Sequence, residues 1–303
     1  MLTDRQRRYH ALYQEQDLPS LYSAPWWLDI TCGKDGWDAL LIREPDSNIE
    51  TAIPYCNTRI KGLPAIITPP ATQWVQIITG QGDDDSFRRS FLHHFPKSAI
   101  FDLSIKTSKA YVLEGKDFSA MIHYSYVLSY HDVVAKMKAG YNEGLRRNLK
   151  QAEKIFEIKE SDDVNTFISL CKTTYAQRSM KSPWWIEQIL PAIIALLVKE
   201  KKGRLSFVSK NGNAIAAMLT GWDNGTDYYL AGGRLATDEA VSAHALLLDQ
   251  AVTQAQARGN DFDFEGSMVP GIANFFQSFG GHPMPYTRIR RFKGLGVLWS
   301  MLQ

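Results

Sequence analysis

The sequence predicts an α+β protein with mixed sheets, laid out as two successive runs of one element order, the first of them reduced. Three observations carry this. Each half reads as helices, a three-strand meander, a helix, a strand and a final strand. The meanders are punctuated by turn chemistry, Pro45-Asp46-Ser47-Asn48 in the first half and Asn211-Gly212 and Asn224-Gly225 in the second. Asn-Gly is a strong hairpin signal because both central residues of a type I′ turn need positive φ. Finally, a 303-residue chain with 45% hydrophobic and 22% charged residues can bury a sizeable core.

In chain order, Tyr9, Leu12 and Tyr13 suggest a short first helix, and Ser23-Ala24-Pro25 opens a second through Trp26, Trp27, Leu28 and Ile30 that stops at Gly33. Strands are expected over Trp37–Arg43, Ile49–Tyr55 and Ile60–Thr68, the last closed by Pro69-Pro70. Asp83-Asp84-Asp85-Ser86 suits a helix start, where carboxylates meet the positive end of the dipole, with the helix running from Phe87 to Phe95. Ala99–Leu103 and Ala110–Leu113 read as strands. In the second half, helices are expected over Val133–Phe156, broken at Gly140 and Gly144, over Asp163–Arg178, and from Pro183 through Leu197. Strands Leu205–Ser209, Ala214–Trp222 and Asp227–Ala231 follow. A helix over Ser242–Arg258, strand Phe262–Phe264, a short helix near Pro270–Phe279 and strand Tyr286–Arg291 complete the chain. The domains expected are 1–120 and 121–303.

Composition narrows the function classes. A net charge of +2 supplies no global field for nucleic acid or membrane, so a polyanion has to be met by a local basic patch. Cys32, Cys56 and Cys171 are few and widely spaced, without CxxC or Cys/His metal spacing, so neither a disulfide framework nor a metal site is expected. No secretory signal is read at the start. The apolar run Ile189–Val198, interrupted by Pro191, falls short of the ~20 residues that a membrane helix requires. A cytoplasmic location is the expectation, and no feature fixes an oligomeric state.

One segment is distinctive: Asp261-Phe262-Asp263-Phe264-Glu265-Gly266-Ser267-Met268-Val269-Pro270-Gly271, continuing through Phe275-Phe276 to Phe279-Gly280-Gly281 and Pro285-Tyr286. It resembles the C-terminal half of the Fem family, whose members have two subdomains of the N-acetyltransferase (GNAT) fold. Leu145-Arg146-Arg147-Asn148-Leu149-Lys150 is similar to the basic helix that opens the second Fem-like half. Ala24-Pro25-Trp26-Trp27-Leu28 and Pro69-Pro70-Ala71-Thr72-Gln73 resemble pieces of the first. The resemblance implies tandem GNAT-like subdomains and transfer of an acyl or aminoacyl group to an amine. It also implies acyl-CoA or aminoacyl-tRNA as donor, and a small molecule or cell-wall precursor as acceptor. Two departures accompany it. No long heptad-rich hairpin is visible. At the place of the usual Gln/Arg-x-x-Gly-x-Gly/Ala pyrophosphate loop stands Gly233-Arg234-Leu235-Ala236-Thr237-Asp238-Glu239.

The candidate site residues follow from these segments. Around strand Phe262–Phe264, Asp261, Asp263 and Glu265 face away from Phe262 and Phe264, and a carboxylate at the C-terminal edge of such a strand can act as base on an amine or orient it. The competing reading makes Asp263 and Glu265 helix caps or partners of Arg288 and Arg290. Tyr286 as general acid is implied by the family. Ser267 is a helix N-cap or an oxygen-binding hydroxyl, and Phe276 is core or pocket wall. Arg146 and Lys150, four apart on a helix, form a basic face for phosphate or a solvated one. Tyr175, Arg178, Trp184 and Trp185 gather around a Pro-bounded connection, either as an acceptor groove or, for the Trp pair at a helix start, as packing. Of Tyr228 and Tyr229, one faces the site, and Tyr229 is taken as that one. Arg234, Ala236 and Thr237 stand where a CoA phosphate would lie. His244 reads as structural. No Ser/His/Asp order, Walker loop or metal cluster is present, so direct transfer is the expected mechanism. The alternative is a ligand-binding protein that keeps the scaffold without the chemistry.

Overall fold

A computed structural model describes residues 2–43, 50–79, 91–106, 117–131, 134–266, 268–294 and 296–297. The chain packs as two units, 1–124 together with 285–303, and 125–284. The expected strand 110–113 and residues 81–90 lie outside the described residues. Of the helix expected over 87–95, only a 3-10 turn at Phe91–His94 is described.

In the first unit, α1 (Asp4–Gln14) begins at Thr3, whose side chain and Gln6 cap one another reciprocally. Its Tyr9 and Leu12 bury against Trp37, Ala39 and Ala52. Pro25 opens α2 (Pro25–Cys32), where its missing N–H costs nothing, and Gly33 at φ 81° ends it. Next come β1 (Trp37–Arg43), β2 (Glu50–Ile60), β3 (Leu63–Ile67), the short β4 (Val75–Gln76) and β5 (Ile78–Thr79), and β6 (Ile100–Lys106). The β2–β3 turn sits at Lys61-Gly62, both at positive φ, rather than near Tyr55 where the sequence reading ended the second strand. β1, β2 and β3 form an antiparallel meander, and β3 runs parallel to β6.

The far side of β6 is taken by β13 (His282–Phe292), antiparallel from Thr287↔Ile105 to Phe292↔Ile100. Residues 285–303 pack with the first unit because β6 needs a second neighbour and β13 supplies it.

The second unit begins with the end of β7 (Ser119–Leu128) and contains β8 (Glu157–Glu160), β9 (Gly203–Lys210), β10 (Asn213–Trp222), β11 (Thr226–Arg234) and β12 (Asp261–Gly266). Their spatial order is β7, β12, β11, β10, β9, β8. The sheet is antiparallel except for the β11–β12 pair. Asn211 (φ 52°) and Gly212 (φ 81°) make the β9–β10 turn that the Asn-Gly signal predicts. The helix expected over 133–156 is two, α3 (Val134–Ala139) and α4 (Glu143–Ala152). Asn142 separates them, its Oδ1 accepting from Leu145 N at 2.7 Å. α5 (Val164–Ala176) is followed by α6 (Trp185–Gln188) and α7 (Leu190–Lys199), where one helix was expected. Pro191 lacks the N–H that a continuous helix needs at that point, so it opens a new one.

The longest helix, α8 (Asp238–Arg258), lays Ala243, Leu247, Leu248, Ala251 and Val252 on Val208, Ala216 and Met218 of the sheet. Each large apolar side chain so buried contributes about 1.5–3 kcal/mol. α4 packs Leu145 and Leu149 into the same core. α9 (Pro270–Ser278) closes it with Phe276, and Phe279 follows. Gly280 at φ 82° and Gly281 end that helix through N–H bonds to Gln277 and Phe276 carbonyls, as the Gly-Gly pair predicts.

Candidate active site

The site is built where the two parallel strands of the second unit separate. β11 pairs with β12 at Thr226↔Asp261, Asp227↔Phe262 and Tyr228↔Asp263, and no further. β11 continues to Arg234 alongside β10 alone, with an irregularity at Leu219/Thr220 that leaves Leu230 as an extra residue. β12 stays paired with β7 on its other side, from Phe262↔Leu128 and Asp263↔Val127 to Gly266↔Ser125 after a register shift. The β11 edge from Tyr229 to Arg234 is thereby left without a β12 partner.

Asp263 holds this divergence. It is fully buried, its Oδ1 accepts from Glu265 N at 2.8 Å and its Oδ2 from Ser125 Oγ at 3.3 Å. Glu265 sits at φ 61°, a left-handed conformation costly for a residue with Cβ, and Asp263 helps to fix it. So Asp263 fastens strand and kink, and Arg288 and Arg290 bind Asp102 rather than either carboxylate. Glu265 is partly buried, and burial pushes its carboxyl well above the usual range.

The linked stability effect has a definite sign. The folded Glu265 binds its proton more tightly than the unfolded one. Its favourable contribution is therefore complete below the unfolded value near 4.5 and is lost as pH rises toward the folded value. Relative to Glu265→Gln, the wild type is expected to lose stability steadily above about pH 4.5 in urea unfolding across pH. Parallel curves would show Glu265 to be solvated.

Along the open edge the side chains gather. Adjacent Gly232 and Gly233 serve opposite faces of β11. A Cβ on Gly232 would strike the Tyr229 hydroxyl and come to 2.7 Å from His244 Cε1, while one on Gly233 would strike the backbone of Leu170 and Cys171 in α5. Tyr229 packs edge-on against His244 at 5.7 Å and against Phe276 at 6.3 Å. Phe276 in turn stacks on Phe264 at 5.2 Å, so it is both core and wall. Burial first, then Cys171 and Tyr175, raise the Tyr229 phenol, keeping it a donor at neutral pH. Burial and then Arg234 lower His244 to about 4, so its ring is neutral, and its Nδ1 is buried with no partner among the described residues.

At the end of the edge, Arg234 N donates to Thr174 Oγ1 at 2.9 Å and Gln177 Nε2 donates to Arg234 O at 3.3 Å, tying β11 to α5. Burial and the neighbouring Arg178 lower the Arg234 guanidinium, with Tyr229 and Asp238 opposing. Tyr175 is raised by burial and by Cys171, against Arg178. The buried Cys171 thiol is pushed up to about 12, which removes it as a nucleophile. Tyr175, Arg178, Tyr229 and Arg234, nominated separately from the sequence, therefore form one electrostatic cluster, and His244 joins them. The signal that was missed is Gly232-Gly233 inside a strand, which marks close approach of neighbouring groups.

The remaining candidates lie elsewhere. Arg146 and Lys150 are on the exposed face of α4, Arg146 Nη1 bonding Ala139 O at 3.2 Å. Trp185 opens α6 and is partly buried. Ala236 and Thr237 lead into α8 without a side-chain cap, and Glu239 of its first turn pairs with Lys210 at 2.5 Å. Ser267 lies outside the described residues. Tyr286 belongs to the first unit, its ring 5.5 Å from His123. Among the described residues no group of His, Cys, Asp and Glu is arranged to hold a metal, and no helix is long and apolar enough to cross a membrane.

A family model described as the acetyltransferase (GNAT) domain matches residues 124–275, just over half of the chain. Among solved structures, FemX is similar with a TM-score of 0.62 at 11% identity, over 94% of this chain and 96% of that one. A conserved protein of unknown function from Bacteroides thetaiotaomicron gives 0.54 at 10% identity, covering 97% and 98%. L-PGS from Bacillus licheniformis gives 0.52 at 13% identity, covering 98% and 95%. No curated protein matches in sequence. At these identities the likeness is one of fold, and it gives the Fem-type resemblance of the sequence a counterpart over nearly the whole chain.

Proposed function

This chain belongs to the acetyltransferase (GNAT) domain family, and from that premise we propose that it is an N-acyltransferase that moves an acyl or aminoacyl group from its carrier directly to an amine. The observation that carries the proposal is the parting of β11 and β12 after Tyr228 and Asp263. It leaves backbone N–H groups of a rigid strand free to hold an acyl carbonyl at the place where negative charge develops. The neutral His244 ring and the Tyr229 hydroxyl stand beside that edge as hydrogen-bonding groups, and Arg178 and Arg234 supply positive charge for the anionic part of a donor. We assign Glu265, whose carboxyl is raised by burial, as the group that takes the proton of the attacking amine. In the transfer, the amine nitrogen bonds to the carbonyl carbon. The carrier's C–S or C–O bond then breaks, and the leaving group takes up a proton.

Two donors fit, acyl-CoA and aminoacyl-tRNA, with a small molecule or cell-wall precursor as acceptor. A cytoplasmic setting agrees with three free cysteines. The experiment is thermal unfolding with acetyl-CoA at low and moderate salt. At about 100 times the dissociation constant, a ligand adds roughly 2.7 kcal/mol, and Arg234→Ala is expected to remove the shift. If acetyl-CoA gives no shift, binding of aminoacyl-tRNA that collapses with salt would assign the other donor. Failure of both would overturn the enzyme reading in favour of a ligand-binding scaffold.

A further inference from the structure

Where β6 pairs with β13, the sheet of the first unit has one apolar face and one polar face, whereas at β1 and β2 the second face is apolar and carries Ala39 and Ala52. Phe101, Leu103 and Ile105 of β6 and Ile289 of β13 point into a core with Ile53, Tyr55 and Ile66. Strict alternation then puts Asp102 and Ser104 of β6, and Tyr286, Arg288 and Arg290 of β13, on the opposite face. The Arg288 guanidinium forks Asp102, Nε to Oδ1 at 2.7 Å and Nη2 to Oδ2 at 2.6 Å. Arg290 reaches the same carboxylate with Nε alone at 3.3 Å. One carboxylate thus anchors two guanidiniums and leaves one positive charge in excess, on side chains only 32% and 28% exposed. Among the described residues Arg290 makes no other side-chain hydrogen bond, so its terminal nitrogens keep their donors.

His123 of β7 lies in the same group. Its ring faces Tyr286 at 5.5 Å, and its Nε2 is buried with no partner among the described residues. Burial, Arg288 and Arg290 all lower its pKa, with Asp102 opposing. A buried polar atom left unmatched beside surplus positive charge is costly, and an oxyanion would relieve both at once.

We propose that Arg290, the outer edge of Arg288 and His123 form a binding site for an oxyanion, a carboxylate or phosphate of a ligand, with Asp102 holding the two guanidiniums in place. The site lies wholly within the first unit and does not rest on the acyl-transfer reading.

The test uses inorganic phosphate and acetate as probes against chloride at matched ionic strength. The readouts are the imidazole resonances of His123 across pH and the unfolding midpoint. A bound anion offsets the arginines, so the His123 midpoint is expected to rise in at least one probe. Arg290→Ala is expected to weaken that probe at least tenfold. Arg290→Lys, which keeps the charge and loses the planar fork, should bind between the two. A response to phosphate alone assigns a phosphate-bearing ligand, and an equal response to acetate assigns a carboxylate. A His123 midpoint indifferent to both probes, or an Arg290→Ala protein that responds like wild type, would overturn the site. Because Arg234 lies in the other unit, the acetyl-CoA shift should survive Arg290→Ala, and loss of either result alone identifies which proposal has failed.

Discussion

Gly233→Ala is expected to cost about 3 kcal/mol or more in urea unfolding, at the upper end of what overpacking produces. The added methyl would collide with Cys171 N and Leu170 C and lie 2.7 Å from Cys171 Cα. These are backbone atoms of α5, and α5 is tied to the same strand by Thr174 and Gln177. No rotamer change relieves the clash, so the helix must move off the sheet. Stability within about 0.5 kcal/mol of wild type would show that α5 is not seated on β11 as described.

The second large effect concerns rate. His244→Gln and Tyr229→Phe are each expected to lower kcat about 100-fold, with the dissociation constant for the donor little changed. A pKa near 4 makes His244 a neutral donor and acceptor across the physiological range. The raised Tyr229 phenol likewise keeps its proton. In the proposed transfer both side chains serve the reacting carbonyl more than the carrier, so the loss should appear in kcat rather than in KM. Full activity in both variants would move the chemistry away from the Tyr229–Arg234 edge.

The sequence showed much of this arrangement and missed the rest for physical reasons. The Asn211-Gly212 hairpin and the Gly280-Gly281 stop were legible because they depend on local φ alone. The turn at Lys61-Gly62 was passed over because Lys at φ 49° carries no strong signal by itself. Asp263 stood out as an acid on a strand edge. Sequence alternation assigned its face but not its burial, and the full closure around it comes from Ser125, 138 residues away in the chain. His244 reads as structural in the sequence, since what distinguishes it is Arg234, Tyr229 and a buried Nδ1 with no partner among the described residues. The return of residues 285–292 to β6 was invisible because strand neighbours are settled by which edge is open, not by order in the chain.

That return has a consequence for synthesis. The second unit is continuous in the chain, and every strand it needs has emerged once residue 284 has left the ribosome. The first unit emerges earlier yet stays unfinished, because the outer edge of β6 waits for a strand made about 180 residues later. During that interval the unpaired edge and the apolar side chains behind it are the nascent chain's point of exposure to chaperones and to pairing with other chains.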